Sequence, residues 1–519
     1  MSGEALSALF RDYLFAFDRV AKFYPAGAAF DFAALARQAK ARRYSDETRR
    51  AVAEDLSRQN PEQREMVARF AQNGTVAILT GQQVGLLGGP LLSLHKAMTA
   101  VRIAERLREQ GTDAVPIFWM ATQDHDLAEV NQAWVLDSGS GLHRLSATFA
   151  AEANGQPTGE VRLEESIGGV IDEAERCTSG DWSAVRAAYR PGATLGEAFG
   201  ELLRGWFAAW GLLVFDPRQA PGAQGLWGPY YLEAFDRQPE LAAKLGERAA
   251  ALTAAGYHVQ VEQTAAASML FLEMAQGRLG VRRSGDRWML GEEQIAGEEL
   301  RRRIADAPGR VTPAALLRPV LQDVAFPTVA HVVGPAETAY LAQSAVLYQA
   351  LGVTQPVAWP RARVTLLDAK AQRLLQKYDL GLDDLRETPA ADLLARRALP
   401  EGVEQRVVAM RAGMTEGFAQ LQRELEQLDP TLLDAAKGAA QKIEHQLTQM
   451  ETRVARSLAR RSGELQAQAQ HLDGSLFPNR EPQERVLAGA GWLAREPRTL
   501  ERVHDALDAA EPRPQIIGG

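Results

Sequence analysis

One cysteine, Cys177, is the only thiol in 519 residues, so an intrachain disulfide and a cysteine-held zinc are both excluded. A reducing cytoplasm is the expected compartment. Basic excess is also missing: 58 Lys and Arg stand against 66 Asp and Glu, for a net charge of −8. That balance argues against nucleic acid or an anionic membrane as partner. No apolar run approaches the ~20 residues that span a bilayer. The opening MSGEALSALFRDYLFAFDRV mixes acids and arginines into its apolar pattern, unlike a signal peptide. Histidines number eight, and no two share an i, i+4 or H-x-x-E-H spacing, which leaves no zinc motif. Magnesium carried by a nucleotide remains compatible with this. A P-loop and a G-x-G-x-x-G fingerprint are absent as well.

What the chain does have is 46% hydrophobic residues, enough for two to four packed domains. They are organised around the stretch 75–131, which reads as an apolar strand, a glycine-rich loop, an amphipathic helix and a second apolar strand ending in a polar cluster. This is a βαβ unit with its chemistry at one edge. Gly81, Gly85, Gly88 and Gly89 turn the backbone toward Pro90, a residue suited to a first helical turn,. Amides there and a helix N-terminus can hold an anion, with Gln82 and Gln83 in the same loop; a plain tight turn is the other reading. His95 and Lys96 follow in the first turns of the helix, where a solvated lysine is the ordinary case.

After the strand Val115 to Ala121 come Thr122-Gln123-Asp124-His125-Asp126, Glu129 and Asn131. Groups just beyond strand C-termini line the ligand crevice of open α/β sheets. Asp124, His125 and Asp126 are therefore the catalytic candidates, although an Asp here also suits a helix N-cap.

The remaining organisation follows in order. A helical lead-in, with apolar spacing from Glu4, covers 1–74, and the first part of the core covers 75–136. A first insertion spans 137–205. The core continues through 206–255, where Asp216 ends a buried strand and either binds a hydroxyl or ammonium group or starts the turn at Pro217. A second, β-rich insertion spans 256–310, with His258, Gln260 and Glu262 on one face of a strand if the alternation HVQVEQ is extended. Residues 311–400 complete the core. They carry Arg318, Gln322, a core histidine at 331, the strand-to-helix turn at Gly334, then Glu337, Tyr340 and, after the last strand, Arg361. From 401 to 475 apolar residues step by three and four (Val403, Val407, Met410, Met414, Phe418, Leu421, Leu425, Leu428, then Ile443, Leu447, Met450, Val454, Leu458) on both sides of Pro430. Such stripes make an antiparallel helical hairpin and suit a homodimer. Residues 476–519 return toward the core.

Five separated segments, TGQQ-x-GL-x-GGP with Lys96 downstream, FWMATQDHDLAEVN, LRPVLQD, PTVAHVVGPAETAY and LFPNREPQER, resemble the BshC family, the cysteine-adding enzymes of bacillithiol biosynthesis. The likeness runs in order through essentially the whole chain. Gln123 stands where the family commonly has an acid, as in AEDHD, which leaves Asp124, His125 and Asp126 in place. The resemblance implies an α/β fold: a nucleotidyltransferase-like, Rossmann-like parallel core with two insertions and a C-terminal antiparallel α-helical coiled coil that dimerises. It also implies a ligase joining the carboxyl group of L-cysteine to the amine of glucosaminyl malate, the last step of bacillithiol biosynthesis.

An amide forms from a carboxylate only after activation, so ATP or another nucleotide is the expected cosubstrate. In the expected chemistry Lys96, with His95, neutralises developing negative charge. His125, held by Asp124 or Asp126, takes a proton from the amine. Arg318 or Arg361 grips the malyl carboxylates. Two other readings fit the same residues: a catalytically idle nucleotide-binding scaffold acting through its coiled coil, and a related ligase or nucleotidyltransferase with another amine substrate.

Overall fold

The computed structural model describes residues 6–274, 277–397 and 401–518, and these fall into two compact units. The first contains residues up to Val135, His143–Thr365 and Glu484–Ile517. Its centre is a five-stranded parallel sheet of β1 (Val76–Gln82), β2 (Ala114–Met120), β3 (Leu213–Phe215), β9 (Thr328–Val333) and β10 (Val357–Pro360). Its strand order is β10-β9-β1-β2-β3. The strands are near-continuous apolar runs because helices cover both faces; six of the seven residues of β1 and all seven of β2 are buried. Register places Gly81 beside Trp119 and Leu79 beside His331.

Helix α1 (Leu92–Glu109) crosses from β1 to β2. Pro90 lies just before it and forms a bridge with Ala488 of the returning C-terminal segment instead of opening the helix. Helices α2 (Arg318–Ala325) and α3 (Pro335–Ala350) flank β9. The segment Leu317 to Asp323 is thus mostly helix, with Pro319 in its first turn, where a missing N–H costs nothing,. Glu4 lies outside the described residues; the lead-in helices that are described begin at Ala8.

A second sheet is antiparallel: β4 (Ala267–Met274), β5 (Gly277–Ser284), β6 (Arg287–Leu290), β7 (Glu293–Ile295) and β8 (Val311–Pro313), in the order β8-β4-β5-β6-β7. His258, Gln260 and Glu262 do not join it as a strand, against the expectation from their alternation. A side chain takes the neighbour's place: the Gln343 amide accepts from Gln260 N and Val261 N at 3.1 and 2.9 Å and donates to Val261 O at 2.8 Å. With its backbone groups satisfied this way, the segment needs no ladder.

The second unit comprises Leu136–Leu142, Leu366–Gln483 and the last residues. Helices α4 (Glu401–Leu428) and α5 (Leu433–Arg461) form the hairpin, 28 and 29 residues long, each about 42 Å at ~1.5 Å per residue. The turn is fixed by Asp429, whose side chain accepts from Thr431 N. Arg411 ties the two helices together through Glu444 and Glu451, both at 2.9 Å. Val407 and Leu447 are buried, whereas Met410, Leu421, Ile443 and Met450 stay 42–50% exposed. The Leu458 side chain lies outside the described residues. Helix α6 (Gly463–Leu476) carries His471, whose ring bridges Ser140 Oγ at 2.6 Å and Asp368 Oδ1 at 2.9 Å. That buried trio pins its segments together.

Candidate active site

In sheet order the core strands, numbered along the chain, run 3-2-1-4-5, so the crossovers leave in opposite directions between β1 and β9. A crevice opens at the C-terminal edge of such a switch point. Here it has a volume of about 460 Å³ and is lined by Gly81 and Gln82 at the end of β1 and Gln83 just after it, by Ala121 and Asp124 after β2, by Gly334 to Glu337 after β9, and by Arg361 after β10. Lys96, Arg318, Tyr340, Gln260 and Arg485 also face it.

Lys96 is buried, because α1 packs along β1 and brings the ammonium back to the strand end. It donates to Gly81 O at 2.8 Å and Gln82 Oε1 at 2.9 Å, and pairs with Glu337. Burial pushes the ammonium below its ordinary value, with Glu337 opposing. The same burial would raise Glu337, but Lys96, His331 and the Gly334 N–H outweigh it and hold the carboxyl below its usual range. Glu337 sits at the third position of α3 and accepts from Gly334 N at 2.7 Å, so one carboxylate both caps the helix and sets the lysine. Beneath them His331 is buried and pushed down to about 3 by desolvation. Neither of its ring nitrogens has a partner among the described residues, unlike the satisfied core histidine expected.

Arg318 opens α2 and spans from Gln322 Oε1, at 3.1 Å, to the Tyr340 hydroxyl. Gln322 is thus a support for Arg318 and is itself buried. Arg361 makes a bidentate pair with Glu484 at 2.7 and 2.6 Å, and His95 Nδ1 lies 3.0 Å from the same carboxylate. Burial alone would raise Glu484, yet Arg361 and His95 bring it down to about 2. His95 therefore belongs to this buried pair and does not line the crevice.

In the acidic cluster, Gln83 Nε2 donates to Asp124 Oδ2 at 2.7 Å and Glu129 Oε2 at 2.5 Å. Asp126 caps the short helix Leu127–Val130 by accepting from Glu129 N. His125 is partly exposed, with Nδ1 3.2 Å from Arg278 Nη1 and 3.7 Å from Asp124. Arginine can only donate, so Nδ1 accepts and the neutral ring carries its proton on Nε2. Arg278 is itself fixed by Thr312 Oγ1 at 2.7 Å and Pro313 O at 2.8 Å and lies over the Phe271 ring. Its burial pushes the guanidinium down to about 10.

Several expected residues lie elsewhere. Gly85, Gly88 and Gly89 are buried away from the crevice. Gly88 has φ +80° and a Cβ there would come within 2.6 Å of Trp206, so its glycine answers a packing demand. The helix starts facing the crevice are those of α2 and α3, and α1 reaches it through Leu92 and Lys96 and not through Pro90. Asp216 accepts from Thr122 Oγ1 at 2.5 Å and from Arg218 N at 2.9 Å and faces a different cavity. Asn131 does not line the crevice either. Arg278, Glu484 and Arg485 were not singled out from the sequence, although the last two lie within the motif LFPNREPQER. Among the described residues no cluster of His, Cys, Asp and Glu is arranged to hold a metal, and no helix is long and apolar enough to cross a membrane.

Sheet order and crevice define a Rossmann-like α/β protein whose candidate ligand site draws on several strand ends. The model of the BshC N-terminal Rossmann-like domain of bacillithiol biosynthesis matches residues 1–362, and that of the BshC C-terminal coiled-coil domain matches residues 364–517. The chain belongs to the BshC family of bacillithiol biosynthesis. Relatives named "Putative cysteine ligase BshC" include one from Koribacter versatilis, 36% identical over 98% of this chain and 96% of its own length. One from Solibacter usitatus is 37% identical over 96% and 95%, and one from Thermus thermophilus is 30% identical over 83% and 86%.

Proposed function

We propose that the crevice is the active site of a ligase that joins the carboxyl group of L-cysteine to the amine of glucosaminyl malate, the last step of bacillithiol biosynthesis, with ATP activating the acid. The observation that carries this reading is the convergence of Lys96, Arg318 and Arg485, with the start of α3, on one crevice at the switch point. These groups suit carboxylate and phosphate oxygens. The family and its relatives' printed names support the ligase class. Residues present also fit a nucleotide: Lys96 beside Gly81 and Gln82 is placed to meet a phosphate, and magnesium would then be held mainly by the nucleotide. When bound, ATP supplies the leaving group that turns the carboxylate into an acyl donor.

Lys96 stabilises negative charge on the activated acyl or phosphate oxygen. His125, with its proton on Nε2, acts first as a hydrogen-bond donor and not as the base expected from its flanking acids. Asp124 and Gln83 fix its loop. Exposed Met410, Leu421, Ile443 and Met450 on the hairpin support a homodimer through the coiled coil, and the lone cysteine suits a cytoplasmic enzyme. Purified protein incubated with ATP, cysteine and glucosaminyl malate tests the reading. The expected result is an amide product with stoichiometric nucleotide cleavage; nucleotide binding without turnover would sink the ligase and leave a scaffold.

A further inference from the structure

At the opposite edge of the parallel sheet, by the N-terminal end of β9, lies a second cavity of about 600 Å³. Lys22, Arg42 and Arg248 line it, and no carboxylate does. In a chain of net charge −8, three cations around one cavity with no acid among them call for an explanation.

None of the three has an ion-pair partner among the described residues; the two arginines bond backbone carbonyls. Arg42 donates to Thr354 O at 2.8 Å and to Asp323 O at 3.2 Å. Arg248 uses only Nη1, toward Ala342 O at 3.1 Å and Phe23 O at 3.5 Å. Its Nε and Nη2 are thus left for a ligand. Burial pushes Arg248 below its ordinary value, with Tyr24 opposing. Lys22 lies over the Phe23 ring and is exposed.

A second observation is independent of charge. Gln355 also lines the cavity and is 8% exposed; its Nε2 donates to Leu341 O at 3.2 Å, while its Oε1 has no partner. A buried acceptor without a donor is costly, and a turn of the amide that brought Oε1 to the cavity would let a hydroxyl or amine on a ligand satisfy it. Glu240 and Glu247 stand beside Arg248 in an adjoining cavity, and Asp323 accepts from the Tyr348 hydroxyl.

We propose that this cavity binds a small polyvalent anion bearing a hydroxyl or amine, a phosphate ester or a polycarboxylate, at a site separate from the crevice. Two guanidinium groups and one ammonium provide forked and point-charge recognition of clustered anionic oxygens, and Gln355 reads the neutral donor. Helix α3 reaches both sites. Glu337 faces the crevice, whereas Tyr348 and Gln349 line the cavity.

Thermal unfolding of the full chain at constant ionic strength, with inorganic pyrophosphate or L-malate titrated to about 10 mM, tests the site, because a ligand that binds only the folded state raises Tm with saturation. The expected result is a saturable rise in wild type and in Lys96→Met. In Arg248→Gln with Lys22→Gln the half-saturating concentration is expected to rise roughly ten-fold or more, about 1.4 kcal/mol. Saturation at lower pyrophosphate than malate assigns a phosphate ester; the reverse assigns a polycarboxylate. No saturable rise in wild type overturns the proposal. So does a rise that survives the double substitution, or one abolished by Lys96→Met, which would place the anion in the crevice. If Arg248→Gln fails to fold, Lys22→Gln alone carries the comparison, since its side chain lies at the surface.

Discussion

Two buried carboxylates at opposite edges of one sheet titrate in opposite directions. Glu484, beside the crevice, accepts both nitrogens of Arg361 and a contact from His95, and lies at about 2. Asp323, near the start of β9, is as deeply buried, but Arg42 reaches its backbone oxygen instead of its carboxylate. Desolvation then wins over Arg42 and the Tyr348 hydroxyl, raising it to about 7. Burial by itself therefore says little about charge; where the cation's donors point decides it.

The largest effects come from breaking this contrast. Glu484→Gln removes the bidentate acceptor from buried Arg361, and thermal or urea unfolding should report a loss of about 3–5 kcal/mol. Stability contributed by Glu484 is present above about 4.5 and is lost as pH falls toward 2, so the variant should also lose that acid-limb dependence. Asp323 has the reverse sign. Its native state keeps a proton between about 4 and 7 that the unfolded chain has released, so stability falls as pH rises through that window. Asp323→Asn should flatten the slope there, read from urea midpoints across pH; an unchanged slope would mean that the carboxyl is already ionised in the native state.

Lys96→Met tests the crevice more directly. Removing a preorganised charge should lower kcat by about 10²–10³-fold, and the urea midpoint should fall as well because Glu337 loses its buried partner,. A smaller effect sharpens the role of His125. Arg278→Met frees Nδ1 from its donor, so the imidazole nitrogen shifts that report the tautomer, followed by NMR, should change, with a rate change of roughly ten-fold. An unmoved imidazole would dissociate Arg278 from the tautomer.

Much of the architecture was legible because it is written in local periodicity. VAILTG and VPIFWMA read as strands buried on both faces, and the three-and-four stepping beyond residue 401 reads as paired helices. The same rule misled at His258 to Glu262, where alternation met a side-chain amide from α3 instead of a strand. Among the site residues, Lys96, Asp124, Arg318, Gly334, Glu337, Tyr340 and Arg361 come together at the crevice, each just beyond a strand end or in a helix beside it. Gly85, Gly88, Gly89 and Asp216 were chosen by the same logic and lie elsewhere, because a glycine required by a neighbouring tryptophan looks in sequence like one required by a phosphate.

By itself the sequence determined the element types, the parallel character of the core, the helical hairpin and, through its five motifs, the family. Those properties depend on spacings of two, three and four residues and on short fingerprints, all visible along the chain. Only the tertiary structure decided that β9 pairs with β1, so that the switch point and its crevice fall beside Lys96 and take in Gly81, Gln82 and Gln83 but not Gly85, Gly88 or Gly89. It alone placed Glu484 against Arg361 across 123 residues and Arg278 against His125 across 153. Such pairings follow from the order in which strands are laid down and from burial shared by distant segments, and no local period encodes them.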